Sequence, residues 1–579
     1  MLVLALPLLL LLAGCVDLPR SGPVAEGPAP AADPAPRFVV EGPRPGASPE
    51  GVVEGFLRAS AGFDDDYSVA RAYLSEEAAA SWRPTTQVVV VAAGGAAVEG
   101  PPADAAGAVA ATPLPGTRRT VGVSAPLAGV VDAHGRWTSA GSGATYDLEL
   151  ELVRVQGSWR IDDPPDEVVL GRDLFNQIYV PFELQWLSPG SEALVPEVRW
   201  FPGRTPSATL LVSELLAGPS PWLADAVTTA FPPGAVLSSR PPAVPLDAGG
   251  RAVVDLSDAA RQTSPSQRVL MQAQLAATLR DVPGVVGVQL SAGGGALDVP
   301  AREPALLDDP LLGGSPLVLA GGQLARLDGD GAEVVPGLPD VSTRLPSDPA
   351  VGVDGLVAVL VQQRSQLLVG RPQEDDEQAP TLRSVLSGAD LVPPSVDRLG
   401  WVWTSPARAR GQLLAVDDGG GLVRVAAPWL EGRRVLAVRV SRDGARAAVV
   451  STDEEGRSHL DVAGVVRSAD GVPERLDVPT APPVPDLAGA SDVAWVDATE
   501  LALLADAEDG AGRRLVLARV DGSRVRSLVA PEGAQRLTAA TGAASVLLDA
   551  PGGGVLARSG RAWVLRPGSE SATDPSYPG

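Results

Sequence analysis

Eight Asp-Gly dipeptides, starting at Asp328, Asp330, Asp354, Asp418, Asp443, Asp470, Asp509 and Asp521, lie beyond Leu312 in a chain of 579 residues, and none occurs before it. Asp-Gly between apolar runs supplies the positive-φ positions of a tight hairpin turn, so this part of the chain is set up for antiparallel strands. The segments between the turns agree. Val435 to Val440, Arg446 to Ser451, Asp492 to Val496, Leu501 to Ala505 and Leu515 to Val520 are short alternating or apolar runs of strand length.

The spacing carries a weak repeat. Leu399-Gly400-Trp401, Val435 and Val493-Ala494-Trp495 mark related phases at intervals in the 30s to 60s. Blade repeats run ~40–50 residues. Ser441-Arg442-Asp443-Gly444 resembles the Ser-Pro-Asp-Gly turn common in β-propeller blades. The reading is an all-β propeller over residues 312–567, six blades plus or minus one, with a tail at 568–579. A pair of β-sandwiches is the competing architecture.

The preceding residues read as α+β. Ser48-Pro49 is an N-cap followed by a first-turn proline, and Val52, Phe56 and Ala59 share one helical face. Further helical patches cover Ser68 to Leu74 and Ser75 to Trp82. The period then changes to two. Strands are expected at Gln87–Ala92, Thr120–Ala125, Gly129–Asp132 and Tyr146–Val155, with Trp159-Arg160-Ile161 returning. Helices followed by a curved antiparallel meander resemble the nuclear-transport-factor-two-like cone, assigned to residues 48–187.

A second α+β unit follows at 197–298. It has an expected strand at Thr209–Val212 running into a helix to Ala217, a short helix at Ala224–Ala230 and a strand at Ala252–Leu256. Ser264-Pro265-Ser266-Gln267 forms a capping box ahead of a long helix, and Val285–Leu290 is a buried strand. This order resembles the GerMN domain of spore-germination and envelope proteins.

At the other end, the apolar run Leu2–Leu12 is too short to span a bilayer, which needs ~20 residues. It ends in Leu12-Ala13-Gly14-Cys15, which contains the sole cysteine. Residues 1–15 therefore resemble a lipoprotein signal peptide with a lipobox, although no Arg or Lys precedes the run. The expectation is cleavage between Gly14 and Cys15 and lipidation of Cys15. Residues 16–47, rich in Pro, Ala and Gly, are a tether.

Composition removes several chemistries. A net charge of −24 argues against nucleic acid. Lysine is absent, so there is no Walker loop and no Schiff-base amine. The two histidines, His134 and His459, fall in different expected domains, so neither a His triad nor a His-based metal site has its usual partners. His134 reads as part of a hairpin turn and His459 as lying near a propeller strand. The runs Asp64–Asp66, Asp308-Asp309 and Glu374–Glu377 lack the layout of a cation loop, and the triple glycines at 293–295 and 419–421 read as turns. No catalytic, cofactor or metal residue is nominated.

Anchor, tether, cone, GerMN-like unit and propeller, in that order, resemble the LpqB family of actinobacterial lipoproteins. The resemblance rests on Leu12–Pro23, on Phe56–Trp82 with its Ala70-Arg71-Ala72-Tyr73-Leu74 core, and on Leu215–Pro219. It implies a non-enzymatic protein, anchored by lipid (palmitate among its acyl chains) to the outer face of the plasma membrane. It also implies binding to the extracellular domain of an MtrB-like sensor histidine kinase, modulating MtrA signalling, envelope homeostasis and division. The alternatives are an enzyme acting on cell-wall glycan and a passive peptidoglycan-binding adaptor.

Overall fold

The computed structural model describes residues 40–578, except 94, 100–116, 204–206, 303, 310–313, 330, 374–380, 508–509 and 511. Gly14, Cys15, most of the expected tether and the Glu374–Glu377 run lie outside the described residues. The described residues belong to one compact unit.

The first helix is Pro49–Ala59, capped by Ser48, whose Oγ accepts from the Gly51 N–H at 3.1 Å. Its face of Val52, Val53, Phe56 and Ala59 is buried. Ser75 caps Glu76–Ser81 in the same way, while the helix between them is shorter than expected, Ser68–Arg71. These helices cover a sheet in the order 158–161, 145–155, 118–132, 87–91, 168–171. The two strands expected at 120–125 and 129–132 are one, Arg118–Asp132. It pairs with Thr145–Val155 through one half and with Gln87–Val91 through the other, bending at a bulge between Val90 and Val91. Val168–Gly171 adds a parallel edge beside Gln87–Val91, beyond the meander expected to end at Ile161.

Helix Arg172–Ile178 runs into a long hairpin, Tyr179–Leu187 with Leu194–Pro202. The first of these strands, within the residues assigned to the cone, instead sends Phe182, Leu184 and Trp186 into a second core with Leu211, Leu215, Leu275 and Leu279. The strand expected at Thr209–Val212 is the start of helix Ser207–Ala217. Ala208, Leu211, Val212 and Leu215 are buried at helical spacing, and that periodicity outweighs the local β-branching. Ala224–Ala230 is not helical either, because Thr228 exchanges both main-chain hydrogen bonds with Leu187. Ser264 caps Pro265–Leu279 as expected, but the Gln267 amide donates to the Ala230 carbonyl at 2.9 Å instead of returning to the cap. Strands Arg251–Leu256 and Gly287–Ala292 pair in parallel beneath this helix.

The remainder is a propeller of six four-stranded sheets among the described residues. Blade 2 runs 347–351, 357–361, 366–370 and 383–387 from inside to outside, and blade 3 runs 395–396, 402–404, 414–416 and 422–424. Blade 4 is 434–440, 446–452, 458–467 and 473–476; blade 5 is 492–495, 500–506, 513–519 and 525–530; blade 6 is 537–538, 547–549, 555–559 and 562–565. Blade 1 is composite. Leu317–Ala320, Gln323–Leu327 and Ala332–Val334 are joined on the inside by Ala572–Ser576. The stretch expected to be a tail is therefore the strand that closes the ring, held by pairs such as Leu319 with Thr573. The innermost strands neighbour one another in a closed circle.

Candidate functional site

A propeller that binds a small molecule offers its central channel first. Here the channel is walled by Asp348, Arg439, Asp492, Arg536, Asp574 and Tyr577. Asp348 accepts from Arg364 Nε at 2.7 Å and from Arg536 Nε at 2.8 Å, while Arg439 Nη2 donates to Asp492 Oδ1 at 3.0 Å. The other Asp492 oxygen accepts from the Leu537 N–H at 3.1 Å. Burial alone would raise the Asp348 carboxyl, but Arg536 and Arg364 outweigh it and hold the group below its usual range. Asp574 is the exception: burial, then the charge of Asp348, push it up to about 6. Only about 50 Å³ remains open, room for a few water molecules at ~10–15 Å³ each. The channel is an ionic plug. It has no room for a glycan between two carboxylates.

A larger cavity, about 270 Å³, lies where the three modules meet. Trp137 comes from the cone, Pro196 and Trp222 from the second module, and Val478, Thr499 and Asp521 from the propeller. Its walls are largely apolar, and its position between domains is where ligand sites concentrate. The surrounding contacts fix the modules together. Trp200 Nε1 donates to Asp521 Oδ2 at 3.0 Å, Ser139 Oγ to the Gly522 carbonyl at 2.9 Å and Arg172 Nη1 to the Ser523 carbonyl at 3.1 Å. Buried Arg446 pairs with Asp443, lies over the Trp495 ring and reaches the Pro196 carbonyl at 3.4 Å. Of these residues, the sequence marks Asp443 and Asp521 as Asp-Gly turns and Trp495 as a repeat phase, and none of them as part of a site. The remaining signal was the cluster of Arg, Trp and Asp at blade turns.

The two histidines stay apart. His134 sits in the expected hairpin turn, with Nδ1 3.0 Å from Glu214 Oε2, and its carbonyl accepts from buried Arg199. His459 lies on strand Ser458–Arg467, with Nε2 2.9 Å from Asp453 Oδ2. The hydrogen bond from His459, reinforced by Arg457, holds Asp453 well below the carboxylate range. Each histidine therefore has one carboxylate beside it, and Ser451, directly opposite His459 in the strand pairing, is buried with its hydroxyl making no hydrogen bond to the imidazole. Asp66 pairs with Arg71 and Asp308 with Arg280, and the triple glycines are hairpin turns between Ala292 and Gly295 and between Val416 and Leu422. No group of three His, Cys, Asp or Glu side chains arranged to hold a metal occurs among the described residues. None of the described helices is long and apolar enough to cross a membrane.

Three family profiles tile the chain. Residues 42–176 match "Lipoprotein LpqB, N-terminal domain", 179–298 match "Sporulation and spore germination", and 322–578 match "Lipoprotein LpqB beta-propeller domain". Among curated relatives, Lipoprotein LpqB of Thermobifida fusca is 29% identical, aligned over 99% of this chain and 97% of its own length. The protein of the same name from Cutibacterium acnes is 28% identical over 93% and 90%, and that of Streptomyces coelicolor is 29% identical over 89% and 87%.

Proposed function

The chain belongs to the LpqB lipoprotein family, and on that footing we propose that it is a non-catalytic accessory tethered to the outer face of the plasma membrane. In this reading Cys15, acylated after cleavage behind Gly14, holds the body beside an MtrB-like sensor histidine kinase. The body binds the kinase's extracellular domain and so modulates MtrA signalling, envelope homeostasis and division. One observation carries the reading. The channel's charged groups neutralise one another and leave about 50 Å³, so the place where a propeller would house catalysis is filled.

Tethering raises the local concentration beside a membrane partner, so modest affinity suffices. The accessory biases signalling only by binding one kinase state better than another. A passive adaptor for a cell-wall fragment is the second reading, favoured by the 270 Å³ cavity between the modules. Cys15→Ala is expected to shift the protein from the membrane pellet to the soluble fraction, and retention in the pellet overturns the anchor. The kinase's extracellular domain is expected to retain the purified chain in a pull-down. Capture of muropeptides without the kinase supports the adaptor instead.

A further inference from the structure

The charge of the molecule is unevenly spread. Between Arg513 and Arg566 nine arginines face three acidic residues, in a chain whose net charge is −24. This basic stretch forms the two outer strands of blade 5 and the whole of blade 6. Within it lies Val525–Ala530, six residues long and the longest outer strand of any blade among the described residues.

The geometry of this strand is settled by two bonds. The Arg519 N–H donates to the Arg524 carbonyl at 2.9 Å, so Arg524 turns its main chain inward. Alternation then turns Arg526 and Leu528 inward and Val525, Ser527 and Val529 outward. The Val529 carbonyl does point out, because it accepts from Trp563 Nε1 of blade 6 at 2.9 Å. The outward N–H and C=O groups of Val525 and Ser527 and the N–H of Val529 face no strand among the described residues. Natural edges of this kind are normally short, bulged or covered. This one is straight and keeps its apolar side chains in solvent: Val529 is 84% exposed and Val525 44%. Arg524, just before it, and Arg561, two positions from Trp563 in blade 6, are exposed, and neither has a carboxylate partner among the described residues. The strand is also held firmly. The turn leading into it, Asp521 to Ser523, is the one bonded to Trp200, Ser139 and Arg172.

We propose that the outer strand of blade 5 is a docking edge for an acidic, extended segment of a partner protein, which adds to the sheet as a fifth strand. Main-chain bonds to Val525 and Ser527 supply register, Val525 and Val529 meet alternate apolar side chains, and the surrounding arginines select acidic neighbours. A bilayer surface fits less well, because the aromatic ring at this edge, Trp563, is committed to the Val529 carbonyl. The inference rests on the accessory reading above and adds to it the place of contact.

The test uses the full-length chain extracted from membranes and the extracellular region of the kinase as probe, with affinity read by biolayer interferometry. Ser527→Pro deletes one outward N–H at a position where an edge strand tolerates proline. It is expected to weaken binding tenfold or more. Arg524→Glu is expected to do the same and to flatten the salt dependence, while Arg302→Glu, exposed on the second module, binds as the parent does. Circular dichroism of each variant establishes that it is folded. Parent-level binding by Ser527→Pro and Arg524→Glu overturns the docking edge and leaves the accessory reading standing. No binding by the parent chain overturns both. Loss of binding to phosphatidylglycerol vesicles in the same variants, with kinase affinity unchanged, overturns the edge in favour of a membrane contact. A concentration-dependent dimer abolished by Ser527→Pro, with kinase affinity unchanged, overturns it in favour of a second copy.

Discussion

At the scale of single residues, the channel was the least readable part of the chain. Asp348, Asp492 and Asp574 are spread over more than two hundred positions, and nothing local distinguishes them from the other acids. Ring closure brings them among Arg364, Arg439 and Arg536, and that tertiary event sets their chemistry. Asp574 has the clearest consequence. Its folded value of about 6 lies above the unfolded value of ~3.9, so the folded state holds this proton more tightly. The stabilisation is complete below about pH 4 and is lost as pH rises through about 6, at most about 3 kcal/mol. Asp574→Asn is expected to be more stable than the parent at pH 7.5 and to lose that advantage by pH 4, as measured by urea unfolding at both pH values. His134 and His459 were easier to read, because each lies in a turn or strand of its own module and takes its carboxylate partner elsewhere: Glu214 for one and Asp453 for the other.

At the scale of elements, turns were legible and their places in the blade were not. Asp328, Asp418, Asp470 and Asp521 lie in hairpins between the last two strands of blades 1, 3, 4 and 5, whereas Asp354 and Asp443 follow the innermost strands of blades 2 and 4. A better repeat sits in that inner turn. Asp354, Asp397, Asp443 and Asp497 each accept a main-chain N–H there, at 3.2, 2.9, 2.8 and 2.7 Å. Only two of the four precede glycine, so a search for Asp-Gly found half of them. The phases chosen from sequence mixed positions as well: Leu399–Trp401 precedes a second strand, while Val435 and Val493 lie in innermost strands. The caps at Ser48 and Ser264 were readable because capping is local, but the turn at Ala224–Ala230 is dictated by Leu187, some forty positions away. Module docking is testable at one element. A Cβ added to Gly464, on the third strand of blade 4, would lie 2.7 Å from Ala226 Cβ and 2.8 Å from the Trp222 carbonyl. Gly464→Val is expected to pry the second module from the propeller, increasing the radius of gyration in small-angle scattering while strand content is unchanged.

At the scale of the whole molecule, domain order and class were visible from periodicity and composition, and six sheets fall within the expected range of blades. The final strand was missed because Ala572–Ser576, with Pro575 and a polar sequence, has no strand signature of its own. It becomes a strand by pairing with Leu317–Ala320, some 250 positions earlier. Deleting 572–576 is expected to abolish the cooperative thermal transition of the propeller, whereas deleting the four residues beyond Ser559 that form the outermost strand of blade 6, 562–565, lowers the midpoint without abolishing it. During synthesis, the residues that pair with Leu317–Ala320 leave the ribosome after every other blade has been made. Until residues 572–576 emerge, blade 1 carries a bare inner edge, and any copy clipped before Ala572 keeps that edge for good. Closure of the ring thereby reports on its own last strand, and a protease or chaperone can tell a closed copy from an open one by that edge alone.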